Sequence, residues 1–496
     1  MEIELKEILA TSTKRHLKIL EYLFYQYSWS TTQGVAKELN CSSRILNSDI
    51  QFINERYAPF VIETSVKNGI RLRHPDNVSA DLIYKKVYNN SPEFLLIEAL
   101  FFEQHKTVDS LLSTIHVSLS TFTRMVSRLK PLLAKEEITI ESSPYMLKGD
   151  ELRLRNFFVH YFLEKYALDQ WPCSPLQLKA VEEITERVTK SLEDPLDYAD
   201  RNRLHSIILV NLIRMSNGHF GRKEYPQTDK DYLFDRMVNN VVWQQTFYKE
   251  FNVVLTTNVL KEIFYIFLPE NFSKHTSSKS NKLFEEEVLF HISSFLEHLS
   301  TLLDVPLKNK QALSRELFNL QNLFFGQNFI LYDKKKHFIE QIKFEFPKLH
   351  HEIHKELLQF KFYTDFNWKA ASFNEVFYTI LTRWQNLQRE LENKIIPSTI
   401  GILCDFDKEY SNLLKENIYY HLGHTVQIEE FKSTIREEII KESAYYDIVV
   451  TNISEVPFKS PHIVCISAML TSHNWASIRK IVNKLSHERN LIAIRR

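Results

Sequence analysis

The side chains able to do chemistry in this 496-residue chain are four cysteines, nineteen histidines and two stretches rich in basic and amide residues. Cys41, Cys173, Cys404 and Cys465 form no C-x-x-C pair, which argues against a zinc knuckle and a disulfide framework. His350, His351 and His354 lie in FPKLHHEIHKELLQF. There His351-Glu-Ile-His354 is one residue short of the H-E-x-x-H zinc pattern, because position 355 is Lys. At Cys404 a strand-like run, STIGILC, ends where a loop could hold an anion. The loop reads Asp405-Phe406-Asp407-Lys408-Glu409, and its three carboxylates repel phosphate. Only eight glycines are present, too few for the phosphate-cradling and dinucleotide folds that need close backbone approach. No catalytic centre, no metal and no cofactor is expected; Cys404 reads as a buried or interface residue and the chain as no enzyme.

The basic and amide residues point to a different chemistry. Arg44, Asn47, Ser48 and Gln51 fall early on one predicted helix, and Ser120, Thr121, Thr123, Arg124, Ser127, Arg128 and Lys130 on another. Arginine pairs bidentately with guanine, and Asn or Gln with adenine. Both helices need a scaffold that aims them. Residues 14–27 place Leu17, Leu20, Leu23 and Phe24 at helical spacing, and Ser30 or Thr31 caps a short helix carrying Val35, Ala36 and Leu39. A polar turn at Asn40–Ser42 then leads into a longer helix to about Arg56, with Leu46, Ile50 and Ile53 inward. PFVIETSVKNGIRLR follows as a hairpin around Asn68-Gly69. The same order recurs from Pro92: a helix, a cap at Thr107, a turn at His116–Val117, a helix with Phe122, Met125, Val126 and Leu129 inward, and a second hairpin, EITIESSPYMLKGD. Two winged helix-turn-helix units in tandem are predicted. The chain has 62 basic and 62 acidic residues, so any basic surface is local.

From 151 to 395 the text is helical. The run NFSKHTSSKSN (271–281) reads as a linker between two blocks, each the size of a five-helix bundle. ADRNRLHSIILVNLIRMSNGHFGR and NKQALSRELFNLQNLFFGQNFILY both set a helix before a glycine, Gly218 and Gly326, which suggests a duplication. After Pro397 short apolar runs alternate with helices, the pattern of a largely parallel sheet. The expected fold is therefore mainly α and multidomain: winged helix-turn-helix units at 1–75 and 76–150, bundles at 151–272 and 282–395, and an α/β unit at 398–496. The N-terminus has no apolar signal core, and Asn211 interrupts the longest apolar stretch of the middle, so a cytoplasmic chain without a membrane partner is expected.

This order, with text such as TTQGVAKELNCSSRILNSDIQFIN, resembles the Mga/AtxA family of Gram-positive virulence and global regulators over essentially the whole chain. The resemblance implies a DNA-binding transcription regulator, expected to be an activator. It implies that the bundles are PTS regulation domains (PRDs), phosphorylated on histidine by the sugar phosphotransferase system (PTS). It also implies that the last domain is similar to enzyme IIB and holds a homodimer together. The implied partners are double-stranded DNA, a second copy of the chain and the phosphocarrier protein of that system. His205, in RLHSIILVNLIR, fits the first phosphorylated position. His219 near the other end of that helix, and His350, His351 and His354, are the remaining candidates, since Ser314–Leu317 in the second block lacks histidine. Two rival readings stand beside it. An RNA-binding antiterminator would need a small β-rich head, against which the helical 14–56 text speaks. A phosphocarrier component would need a loop less acidic than that after Cys404.

Overall fold

The computed structural model describes residues 5–26, 28–105, 107–142, 144–166, 170–190, 196–221, 225, 231–264, 282–323, 330–359, 373–394 and 396–494. The chain forms two compact units, 1–282 with 321–333, and 283–320 with 334–496. The predicted linker at 271–281 and Gly326 lie outside the described residues.

The first unit opens with a 3-10 turn, Leu5–Ile8, and runs directly into α1 (Thr11–Phe24). α2 (Thr32–Glu38) and α3 (Ser43–Arg56) follow because each is launched by a hydroxyl cap. Thr31 accepts from the Gly34 N–H and Ser42 from the Ile45 N–H, satisfying donors the helix itself cannot. β1 (Val61–Ser65) and β2 (Gly69–Arg73) pair antiparallel, with Ser65 opposite Gly69. Gly69 sits at φ 97°, and a Cβ there would come within 2.1 Å of the Ser30 carbonyl oxygen. The turn thus requires glycine, and Ser30 is bridged to Ile70 beside the tip of the hairpin.

α4 (Asp81–Asn90) leads to α5 (Pro92–Phe102), α6 (Val108–Ile115), α7 (Leu119–Ala134), β3 (Ile138–Ser142) and β4 (Tyr145–Gly149), again an antiparallel hairpin. The two halves share one template. Thr31 and Thr107 cap the short helices, Asn40 and His116 make the left-handed turn, and Ser42 and Ser118 cap the long helices, each pair 76 positions apart. The recurring order read from residues 14–150 is therefore matched down to single caps.

α8 (Glu151–Lys165) packs on both α4 and α10, so the chain is continuous in packing across position 150. α9 (Pro175–Thr189), α10 (Tyr198–Ser216), α11 (Asp231–Val238), α12 (Val241–Phe251) and α13 (Thr257–Ile263) complete the described helices of this unit. α10 is apolar almost all round and correspondingly buried from Leu204 to Met215.

The second unit contains α14 (Lys282–Leu303), α15 (Lys310–Leu323, ending at the segment that joins the first unit), α16 (Lys334–Glu345), α17 (Pro347–Gln359), α18 (Phe373–Arg383) and α19 (Leu387–Glu392). It ends in an α/β layer: β5 (Ser398–Leu403), α20 (Lys408–Leu422), β6 (Val426–Glu430), α21 (Arg436–Glu442), β7 (Ile448–Thr451), β8 (His462–Cys465) and α22 (Ser472–Ile494). Its four strands are all parallel in the order β6-β5-β7-β8, as the alternating text predicted. Ile400, Ile402, Ile448 and Val450 make the core of that sheet.

Candidate nucleic-acid interface

In the first head, Leu46, Ile50 and Ile53 of α3 pack inward with Leu17, Leu20 and Val35. That burial turns Arg44, Asn47, Ser48 and Gln51 outward together, and all four are exposed. Their positions (44, 47, 48, 51) follow the same helical repeat as the core stripe, displaced around the axis. Gln51 donates to Glu55 at 3.2 Å, one turn on. These are acceptors and donors suited to base edges, held on a rigid helix.

The inward stripe of α3 also contains Asp49, which is buried. Arg15 of α1 grips it with Nε and with Nη2 (2.9 Å to Oδ1), and His16 Nε2 lies 2.9 Å from Oδ1. His16 stacks on Phe52, with ring centroids 4.7 Å apart. Burial holds the His16 pKa below its ordinary value, against the opposing pull of Asp49.

In the second head the 76-residue register carries Arg44, Asn47, Ser48 and Gln51 onto Ser120, Thr123, Arg124 and Ser127, all exposed; Thr121 is half-buried. Ser118 is the cap, 3.0 Å from the Ser120 hydroxyl. Arg128 falls on the position of Phe52, which faces the scaffold helix. Its Nη2 donates to the Ile8 carbonyl at 3.2 Å and pairs with the buried carboxylate of Glu93 on α5. Lys135 lies 3.4 Å from Glu7. Of the four cations between Ser118 and Lys135, two are thus committed to carboxylates, and Arg124 and Lys130 carry the outward charge. The first hairpin behaves alike: Arg71 and Arg73 both pair with Glu63, and Arg71 lies over Trp29, while Lys67 is exposed at the tip.

The histidines are dispersed. His205 is 4 % exposed on α10, and neither ring nitrogen meets a hydrogen-bond partner. Burial, reinforced by nearby Arg201, lowers its pKa to about 4. His219, just beyond α10, bonds Glu103 at 2.7 Å within a network in which Arg214 reaches both Glu103 and Glu151. On α17, His350 is half-buried and His351 and His354 are exposed; the rings of His350 and His354 lie 6.3 Å apart. Cys404 directly follows β5, at the carboxyl end of the sheet beside the β5–β7 switch point where open parallel sheets take ligands. Asn452 crosses that point, accepting from the Asp405 N–H at 3.0 Å and donating to the Asp405 carboxylate. Burial raises the Cys404 pKa, with Asp405 adding to the rise against a lowering backbone hydrogen bond from Asn452.

Residue periodicity missed the ion pairs that tie each long helix to its scaffold. A signal existed: Asp49 sits on the 46, 49, 50, 53 stripe that periodicity marks as inward, and the register between halves sets Arg128 opposite Phe52.

Two capped helix-turn-helix heads, one turning Arg and amide side chains outward and the other Arg and hydroxyl side chains, define a DNA-binding transcription regulator. Comparison with known proteins agrees. Residues 10–68 match the M protein trans-acting positive regulator (MGA) HTH domain, 76–162 the Mga helix-turn-helix domain and 180–387 the M protein trans-acting positive regulator (MGA) PRD domain. A trans-acting regulator of Streptococcus pneumoniae is 23% identical over 475 residues, 93% of this chain and 95% of its own length. The capsule synthesis positive regulator AcpA of Bacillus anthracis is 22% identical over 60% of this chain and 63% of its own length, and AcpB of the same organism 24% over 42% and 43%. The chain belongs to the Mga/AtxA family. Among the described residues, no helix is long and apolar enough to cross a membrane.

Proposed function

We propose that this regulator activates transcription by laying α3 and α7 into the major groove of double-stranded DNA. Arg44, Asn47, Ser48 and Gln51 read one subsite, and Ser120, Thr121 and Arg124 the other, with Lys130 on phosphate and Arg128 bracing α7. The observation that carries this reading is the pair of heads built on one 76-residue template, each turning polar side chains to solvent. The sign of regulation follows the positive regulators AcpA and AcpB, to which the chain is similar.

The helical regions act as PRD-type bundles and tune the heads. His205 is the first site of phosphoryl transfer from the PTS phosphocarrier, with His219, His350, His351 and His354 as further acceptors. A phosphoryl group brings negative charge, which a buried apolar helix face cannot solvate. Modification of His205 would therefore demand a different packing of α10, a large structural response to a small chemical change. The α/β unit acts as an enzyme IIB-like dimerisation element rather than a phosphocarrier, since its Cys404 loop is acidic and crossed by Asn452. Leu413, Tyr419 and Tyr420 are exposed on α20 and suit contact with a second copy.

A gel shift on promoter and random duplexes over a salt series tests the DNA reading. The log–log slope should be about −0.9 per phosphate contact, and Arg44→Ala and Arg124→Ala should each weaken binding; unchanged affinity in both variants refutes it. Leu413→Glu/Tyr420→Glu should shift sedimentation from dimer toward monomer, and an unaltered mass refutes this dimer contact.

A further inference from the structure

The 3-10 turn at the start of the chain joins both heads. Leu5, Ile8 and Leu9 are almost completely buried, and the turn packs on α7 of the second head. Only Ala10, the N-cap residue, separates Leu9 from the first residue of α1, and α1 packs on α3 of the first head. The polar side chains of the turn divide in the same way. Lys6 pairs with Glu21 of α1 at 2.8 Å, whereas Glu7 faces Lys135, the C-cap of α7, and the Ile8 carbonyl accepts from Arg128. The turn is covalently joined to the first head alone and packs on the second; the covalent connection between the heads runs through the segment 74–80 and α4.

We propose that residues 5–9 are a positioning clasp that fixes the angle and distance between α3 and α7, and so the spacing between the two DNA subsites this chain reads. The inference rests on the DNA-binding reading above. Its physical basis is effective concentration: once one head is bound, the second gains only if its helix is held at the separation the duplex presents. DNA is stiff over such distances, so a fixed protein geometry selects a fixed base-pair spacing. Arg128 is, in this view, a positioning residue: it braces α7 through Glu93 and the clasp.

The test is selection from a random-sequence duplex pool with the full-length chain, comparing wild type with Leu5→Ala/Ile8→Ala and with Lys6→Ala/Glu7→Ala. Wild type should recover two motifs at one spacing. Both variants should recover the same motifs at several spacings, and lose about tenfold in affinity for the wild-type spacing while keeping wild-type affinity for either subsite alone. Loss of a purely structural contact would instead weaken all duplexes alike. Circular dichroism checks folding, and if Leu5→Ala/Ile8→Ala unfolds, the surface pair Lys6→Ala/Glu7→Ala decides. Unchanged spacing in a folded variant, or a single motif with wild type, overturns the clasp and leaves DNA binding standing. No motif with wild type overturns the DNA reading itself.

Discussion

The two heads use the same backbone plan and reverse the charges that lock it. In the first, the cation is on the scaffold helix and the anion on the reading helix: Arg15 to Asp49. In the second, the anion is on the scaffold and the cation on the reading helix: Glu93 to Arg128. A template can therefore be duplicated while the polarity of its fastening is free, because an ion pair needs complementarity, not a particular direction. The reversal has a functional price: the second head commits one reading-helix arginine to bracing, whereas the first commits none. Apart from that pair, its outward face is also poorer in base-reading groups, with Ser120, Thr123 and Ser127 where the first head has Arg44, Asn47 and Gln51, and Arg124 where the first has Ser48.

The pairs also differ in burial, which sets the largest expected effect. Both carboxylates, Asp49 and Glu93, are buried, whereas the Arg15 side chain is 22% exposed and the Arg128 side chain 41%. Arg15→Ala should cost about 3 kcal/mol by leaving a buried carboxylate short of its partner. Arg128→Ala should cost less, about 1 kcal/mol, because the half-exposed guanidinium is screened and its loss lets water reach Glu93, which keeps the Ser91 hydroxyl as a donor. Urea unfolding measures both, and equal losses would erase the distinction. On DNA the next largest effect is expected from Arg44→Ala, about 2 kcal/mol with relaxed base preference at one position. Arg124→Ala should show a similar or smaller loss in binding titrations. A larger loss at Arg124 would make the second head the principal reader.

Acid should separate the heads further. His16 has a lowered pKa in the folded chain, so below about 6.5 the unfolded chain takes up the proton first. Stability from this residue is intact above that pH and declines as pH falls toward the folded value. Hydrogen exchange of α1–α3 should therefore loosen on mild acidification, more than in the His16→Phe variant; identical profiles would remove His16 from the account. The smallest effect lies in the turns. Asn40 and His116 both hold φ near +50°. His116→Gly should stabilise by about 1 kcal/mol and Asn40→Gly by only a few tenths, since Asn tolerates this region better. Thermal unfolding of the two variants measures the difference.

Much of this was legible in the residues. Hydroxyl caps at Ser30 or Thr31, Ser42 or Ser43, Thr107, and Ser118 or Ser120 marked the helix starts to within a residue or two, and Asn68-Gly69 marked the first hairpin, because caps and tight turns are local in sequence. The alternating apolar runs after Pro397 gave the parallel sheet for the same reason. The outward faces of α3 and α7 were legible as residue types. Which of their cations were spoken for was not: Glu93 lies 35 positions from Arg128 and Arg15 lies 34 from Asp49. Nor did the residue pattern announce that a short turn at the N-terminus would pack on a helix more than a hundred positions later.

Periodicity and capping by themselves determined the helices, the hairpins, the repeat of the heads and the set of side chains able to face DNA, since each depends on neighbours within a turn or two. Only the tertiary structure decided which charges remain outward, how deeply His205 is buried and what the first residues fasten, because those follow from packing between segments distant in the chain, where ion pairs and desolvation are settled.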